Sequence, residues 1–179
     1  QVDLKRCGHR PNKKLVSITE MQDRIKAAVD ARIDDDFVIM ARSDALAVEN
    51  EEMLLERINS YIEVGADMIF PEALVSLDGY KKIAQESSVP ILANITEFGK
   101  TPLFSKKELH HVGVSMILYP LTAFRAMSKA AEKIYKELSS NESQEHMLGE
   151  MQTRDELYDY LSYHKYEKEM DEILNKKDE

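Results

Sequence analysis

Four short, nearly all-apolar runs recur along this chain: Phe37-Val38-Ile39-Met40-Ala41, Asp67-Met68-Ile69-Phe70, Pro90-Ile91-Leu92-Ala93 and Val114-Ser115-Met116-Ile117-Leu118-Tyr119. Apolar residues at successive rather than alternate positions suit strands covered on both faces, as in a parallel sheet. Parallel strands need a crossover between them, usually a helix. The intervening stretches carry helix signals. Ser17 with Glu20 has capping-box spacing ahead of Met21, Ile25, Ala28 and Val29, and Ser105 with Glu108 repeats it, with Gly113 as the stop. Leu54, Leu55, Ile58 and Ile62 recur at helical spacing before Gly65, and Ser76 or Asp78 opens a helix carrying Tyr80, Ile83 and Ala84.

Strands repeating every ~25–30 residues, with a helix between each pair, are βα units. A right-handed series of such units gives a doubly wound sheet or a (β/α)8 barrel. No Gly-x-Gly-x-x-Gly follows any strand, so the dinucleotide-binding version has no support. The fold class expected is α/β: the C-terminal half of a (β/α)8 TIM-type barrel, with four parallel strands, plus C-terminal helices. A lone half barrel leaves two sheet edges and an apolar face open, so the other half is expected upstream of Gln1.

Residues 1–140 are expected to form this part of the barrel, with 1–16 as a loop segment, and 141–179 the C-terminal helices. Ala123 to Leu138 reads as a helix capped by Thr122, and Ser139-Ser140-Asn141 as a break. Thr153 with Glu156 then opens a last helix to about residue 176. Its Leu157, Tyr160, Leu161, Tyr163, His164 and Tyr166 form a tyrosine-rich face, suited to a boundary apolar at one end and wet at the other. The sequence leaves two partners open for it, the parent barrel or a neighbouring subunit.

With 24 basic and 33 acidic residues the chain carries a net charge of −9. That disfavours nucleic acid and anionic membranes as partners. No apolar run approaches the ~20 residues of a membrane span. A single cysteine cannot form an internal disulfide, so the cytoplasm is the expected compartment. No secretory signal opens the sequence.

Functional groups of a βα barrel sit where strands end and loops begin. After the four runs come Arg42-Ser43-Asp44, Pro71-Glu72, Asn94-Ile95-Thr96-Glu97, and Pro120-Leu121-Thr122 followed by Arg125. An arginine, a carboxylate, an amide and a hydroxyl on one rim suit a small polycarboxylate, because a guanidinium fork binds two carboxylate oxygens at once. The same residues allow a plainer arrangement, with Arg42 paired to Asp44 or Glu72 and with Asn94 and Thr96 capping turns. His110 and His111 have no third ligand at metal spacing. Cys7 stands in Lys5-Arg6-Cys7-Gly8-His9-Arg10, among cations that lower a thiol pKa. That context fits a reactive thiol or a spectator in a loop.

Lys5-Arg6-Cys7-Gly8-His9-Arg10-Pro11-Asn12-Lys13 resembles the active-site loop of the isocitrate lyase and phosphoenolpyruvate mutase superfamily, and within it the methylisocitrate lyases. The likeness continues through Met40-Ala41-Arg42-Ser43-Asp44-Ala45, Phe70-Pro71-Glu72-Ala73, Ile91 to Gly99, Leu118-Tyr119-Pro120-Leu121, Ala123 to Met127 and Met151-Gln152-Thr153-Arg154. It covers essentially the whole chain and matches roughly the last three fifths of a family member.

The resemblance implies a Mg²⁺-dependent carbon–carbon lyase. It would split a small tricarboxylate, 2-methylisocitrate, into pyruvate and succinate in the methylcitrate cycle of propionate breakdown. A base takes the substrate hydroxyl proton, the bond breaks, and Cys7 protonates the succinate carbanion as general acid. By the same resemblance Gly8 and His9 complete the cysteine loop, which closes over the site as a lid. Arg42, Glu72, Asn94, Thr96, Arg125 and Arg154 contact substrate or line the site. Phe70, Leu118 and Pro120 form the wall that accepts the extra methyl. The family's last helices swap between subunits of a homotetramer. Its metal ligands, base tyrosine and first carboxylate-binding loop are expected upstream, so no metal ligand is expected in this chain and the isolated stretch is expected to be inactive. The alternatives are an isocitrate lyase giving glyoxylate and succinate, and a non-catalytic chain acting by assembly.

Overall fold

A computed structural model describes residues 1–5, 11–141 and 143–175. The chain divides into two compact units, Gln1–Phe124 and Arg125–Glu179. The first holds α1 (Ile18–Ala31), β1 (Met40–Ser43), a 3-10 turn (Ala45–Ala47), α2 (Glu51–Glu63), β2 (Met68–Pro71), α3 (Leu77–Glu86), β3 (Leu92–Asn94), α4 (Lys106–His111) and β4 (Met116–Leu118).

All strand pairing is parallel. Met40 to Ser43 lie opposite Met68 to Pro71, and Leu92 to Asn94 opposite Met116 to Leu118. A single parallel bridge, Ile69 to Ile91, joins the two pairs, and the Ile69 N–H donates to the Pro90 carbonyl at 3.0 Å. The strands therefore neighbour one another in chain order. A doubly wound sheet reverses direction at a switch point; the four strands described here show none.

Strand side chains alternate between faces, and the two faces here differ. Ala41, Ile69, Ile91 and Ala93 point one way and are 0–2% exposed. They pack with Ile25 of α1, Leu54, Ile58 and Tyr61 of α2, Tyr80 and Ile83 of α3 and Leu109 of α4 in one core. Met40, Arg42, Phe70, Met116 and Leu118 fall on the opposite face, where cover is partial: Met116 is 45% and Leu118 39% exposed. Helices lie against one face of an apolar sheet, and the other holds the functional residues.

Local signals explain the boundaries. Ser17 accepts the Glu20 N–H at 3.1 Å. Glu20 does not complete the box, because its carboxylate takes the Arg24 guanidinium at 2.6 Å. The Ser105–Glu108 and Thr153–Glu156 boxes are both complete, and Ser76 caps α3. Gly113 has φ +90°, and a Cβ there would meet the Ala84 Cβ at 2.8 Å, so glycine is required. α4 has only six residues, too few to be stable by propensity alone. Ser105→Ala should cost about 1 kcal/mol, read as a melting-temperature drop of about 2–4 °C.

β1 begins at Met40, three residues later than the apolar run starts. The Phe37 N–H closes a turn on the Asp34 carbonyl, and its own carbonyl accepts from Arg32, so neither group is offered to β2. Phe37 and Val38 are exposed.

α5 (Thr122–Asn141) spans the boundary between the units; Thr122 is its first residue rather than its cap. The Thr122 hydroxyl donates instead to the Glu97 carboxylate. The expected break at Ser139-Ser140-Asn141 is absent, since the helix runs through Asn141, whose side-chain amide donates to Glu137 at 2.7 Å. A 3-10 stretch (Glu145–Glu150) follows. The last helix is two, α6 (Arg154–Leu161) and α7 (Tyr163–Asn175), divided at Ser162, which is left-handed at φ 51°. Tyr158 stacks on Tyr163 with ring centroids 4.2 Å apart. Among the described residues of α5, α6 and α7 none is buried, Met147 of the 3-10 stretch is, and Tyr160, Leu161 and Tyr166 are exposed. No helix among the described residues is long and apolar enough to cross a membrane.

Candidate active site at the strand ends

Register decides which side chains meet. Arg42 lies opposite Phe70, on the same face, and its guanidinium carbon sits 4.7 Å from the Phe70 ring centroid, a cation–π contact. Asp44 and Glu72 each follow by two residues, which returns them to that face. Arg42 Nε donates to Asp44 Oδ2 at 2.9 Å and Nη2 to Oδ1 at 3.3 Å. Nη2 also lies 3.1 Å from Glu72 Oε2. Lys13 completes the cluster, with Nζ 2.5 Å from Asp44 Oδ1. Lys13, Asp44 and Glu72 are buried, and the Arg42 side chain is 40% exposed.

Burial alone would raise the Asp44 carboxyl, but hydrogen bonds from Arg42 and Lys13 outweigh it and hold the group below the ordinary value of 3.8. A carboxylate with a depressed folded pKa contributes stability that is present above 3.8 and lost as pH falls through the lower folded value. Urea midpoints followed downward from pH 3.8 should therefore decline less steeply in Asp44→Asn than in the parent chain.

The β2 and β3 ends carry polar atoms that the described residues leave open. Glu72 Oε2, Asn94 Oδ1 and Thr96 Oγ1 are buried without a hydrogen-bond partner. The Glu72–Arg42 contact is ionic but outside hydrogen-bond geometry, so Oε2 keeps its acceptor capacity. Buried polar atoms without partners are rare and costly, which makes these three candidates for pairing with a ligand's groups. Backbone strain adjoins them, since Ala73 and Phe98, next after Glu72 and Glu97, have φ 68° and 62°. Outliers of this kind cluster at functional sites. Burial, and secondarily the Glu72 charge, push the Tyr80 phenol up to about 12. It stays protonated at neutral pH, within the core that the helices form with the sheet.

The structure thus brings Arg42, Phe70, Glu72 and Asp44 into one cluster, and puts Asn94 and Thr96 at the end of β3, with Leu118 opposite Asn94 in register. Leu118 and Pro120 are exposed. Arg125 and Arg154 belong to the second unit and are exposed there. Cys7, Gly8 and His9 lie outside the described residues. Sequence reasoning missed Lys13, which looks like a solvated cation in a basic run. Its partner lies 31 positions away, and no periodicity signals it.

Mg²⁺ was tested against this donor set. Among the described residues no three His, Cys, Asp or Glu side chains gather to hold a metal ion. Asp44 is committed to Lys13 and Arg42, and Glu72 faces Arg42. These residues do not form a Mg²⁺ site.

A parallel sheet whose strands neighbour one another in chain order, with a guanidinium and buried polar atoms where its strands end, defines an α/β protein with its polar groups gathered at the strand ends. Comparison with known proteins narrows the class. The phosphoenolpyruvate phosphomutase family matches residues 3–139, and the chain belongs to that family. It is 57% identical to the 2-methylisocitrate lyase of Vibrio cholerae over 98% of its own length and 59% of the relative's. A crystal structure of 2,3-dimethylmalate lyase, described as a member of the phosphoenolpyruvate mutase/isocitrate lyase superfamily, matches 94% of this chain and 56% of that one, with TM-score 0.84 and 30% identity. A phosphonopyruvate hydrolase structure, in complex with oxalate and Mg²⁺, shares the fold at TM-score 0.75 and 22% identity, over 88% of this chain and 57% of that one. The chain spans about three fifths of the length of the 2-methylisocitrate lyases it matches.

Proposed function

We propose that this chain supplies strand-end residues to a carbon–carbon lyase that cleaves 2-methylisocitrate to pyruvate and succinate, the activity belonging to a protein of the relatives' full length. The observation that carries the proposal is the Arg42 fork 3.1 Å from Glu72 Oε2 at the end of β2, together with buried polar atoms that have no hydrogen-bond partner, Glu72 Oε2 itself and, at the end of β3, Asn94 Oδ1 and Thr96 Oγ1. High identity to the Vibrio cholerae enzyme supports the substrate. The half-barrel reading is supported by the partly covered apolar face, which the remaining βα units would close.

Arg42 binds a substrate carboxylate through its planar fork. The Thr96 hydroxyl and Asn94 amide donate to a second carboxylate, and Glu72 accepts from the substrate hydroxyl. Phe70, Leu118 and Pro120 receive the methyl group. A base proposed to lie upstream takes the hydroxyl proton, its O–H electron pair forms the pyruvate carbonyl as the carbon–carbon bond breaks, and the electron pair of that bond is left on the succinate carbon. Arg42 disperses that charge through the attached carboxylate, and Cys7 returns a proton to the carbon. Mg²⁺ supplies charge stabilisation when bound, and its ligands are proposed to come from the part of the relatives' length that this chain does not span. The cytoplasm is the compartment, and the exposed tyrosine face of α6 and α7 serves assembly into a homotetramer.

The test feeds 2-methylisocitrate and isocitrate separately to the full-length protein with Mg²⁺ and follows the keto acid released, with Cys7→Ala as control. Faster pyruvate release from methylisocitrate, lost in the variant, is the expected result. Faster glyoxylate release from isocitrate overturns the substrate assignment and the role of Phe70 and Leu118. Light scattering with Tyr160→Glu/Tyr166→Glu tests assembly, and an unchanged mass removes that face from the interface.

A further inference from the structure

We propose that Lys13 is a positioning residue that acts through Asp44 to set the charge and direction of the Arg42 guanidinium. The proposal rests on the lyase function above. Lys13 is 7% exposed and Asp44 4%. Lysine is almost never buried unless paired, and here the pair stands one side chain away from the arginine that meets substrate. Asp44 Oδ1 is shared, at 2.5 Å from Lys13 Nζ and 3.3 Å from Arg42 Nη2, while Oδ2 takes Arg42 Nε alone at 2.9 Å. Lys13 therefore competes for the oxygen that would otherwise engage the outer nitrogen of the fork. That nitrogen is left closer to Glu72 Oε2, at 3.1 Å, than to Asp44 Oδ1.

Charge gives the same result. Asp44 and Glu72 contribute two negative charges, and Lys13 and Arg42 two positive ones, so these four side chains balance one another. Removing the Lys13 charge leaves them at minus one, beside a rim that receives a multiply charged anion. Arg42 would then be drawn wholly onto Asp44, and the approaching carboxylates would meet net repulsion. Stability alone accounts poorly for a buried pair at this place, because burying two charges returns little net stabilisation. Its position behind the substrate arginine favours a part in binding. Among the described residues the Lys13 ammonium is committed to Asp44. The backbone beside it is anchored, with the Lys14 carbonyl accepting the Val2 N–H at 3.0 Å.

The experiment uses the full-length protein with Mg²⁺. Wild type, Lys13→Met, Lys13→Arg and Lys13→Met/Asp44→Asn are compared by steady-state kinetics on 2-methylisocitrate and by calorimetric titration with succinate. Lys13→Met should raise KM and the succinate Kd by about tenfold while kcat changes by less than about threefold. Lys13→Arg should restore most of the affinity, and the double variant should recover part of it, because Asp44→Asn removes the uncompensated charge. KM and Kd within about twofold of wild type in Lys13→Met overturn the proposal. So does a fall in kcat with unchanged KM, or a double variant worse than the single one; either assigns Lys13 a purely structural part. Should Lys13→Met not fold, Lys13→Arg and the double variant carry the same comparison. A wild type that binds succinate but cleaves nothing sinks the lyase function, while the succinate titrations still decide the role of Lys13.

Discussion

Arg42→Ala in the full-length protein is expected to lower kcat/KM for 2-methylisocitrate by about 100- to 1,000-fold, or about 3–4 kcal/mol at 1.36 kcal/mol per tenfold. Three features make Arg42 the side chain with the largest expected effect on activity. Its fork presents paired donors to a carboxylate. Its ring contact with Phe70 and its bonds to Asp44 fix the direction in which the fork points, so the orienting entropy is already spent before substrate arrives. It also counters the charge of Glu72, which would otherwise face an incoming anion. Arg42→Lys keeps the charge and loses the fork, and should recover no more than about one factor of ten. Kinetics with a melting curve for each variant are decisive. Activity within about threefold of wild type in a folded Arg42→Ala protein removes Arg42 from the site.

Arg57→Met should cause the largest loss of stability among single polar substitutions in the first unit, about 2–4 kcal/mol. Arg57 is buried on α2. Its Nε and Nη2 donate to Glu49 at 2.9 and 2.7 Å, and Nη1 donates to the Val16 carbonyl at 3.1 Å and to the Tyr61 hydroxyl at 3.3 Å. One guanidinium therefore ties α2 to the loop before it and to the chain entering α1. Hydrogen bonds donated to the Glu49 carboxylate raise its pKa against the opposing effect of burial, so it is charged under all ordinary conditions. Methionine fills a similar volume but leaves the Val16 carbonyl and Glu49 without their donor. Glu49 is partly exposed and can rehydrate, which keeps the expected loss below that of a fully buried pair. Chemical denaturation gives the value. A loss under about 0.5 kcal/mol, the ordinary range of surface substitutions, would show the tie to be superficial.

Much of the scaffold was legible in the sequence because its signals are local. Apolar runs, capping residues and two left-handed glycines each act over a few positions, and they located the strands and most helix starts. The misses also have local causes. Phe37 and Val38 look like strand until the turn at Asp34 claims their backbone groups. Thr122 looks like a cap until Glu97 claims its hydroxyl. A tyrosine-rich stretch reads as one helix until Ser162 adopts a left-handed conformation. The site was legible to the extent that parity is. Arg42, Phe70, Glu72 and Asn94 can be put on one face by counting in twos from strand residues. Lys13 was not legible, because its place depends on a tertiary contact that no spacing rule encodes.

The strands neighbour one another in chain order, and this has a consequence for how such a protein can change over evolutionary time. Each βα unit touches mainly the one before and the one after it, and each contributes its own strand end to the rim. A new loop after β2 or β3 can therefore alter what the rim accepts without asking distant units to repack. Chemistry in this architecture is a sequence of nearly independent choices, one per strand, made on a frame whose order does not have to change.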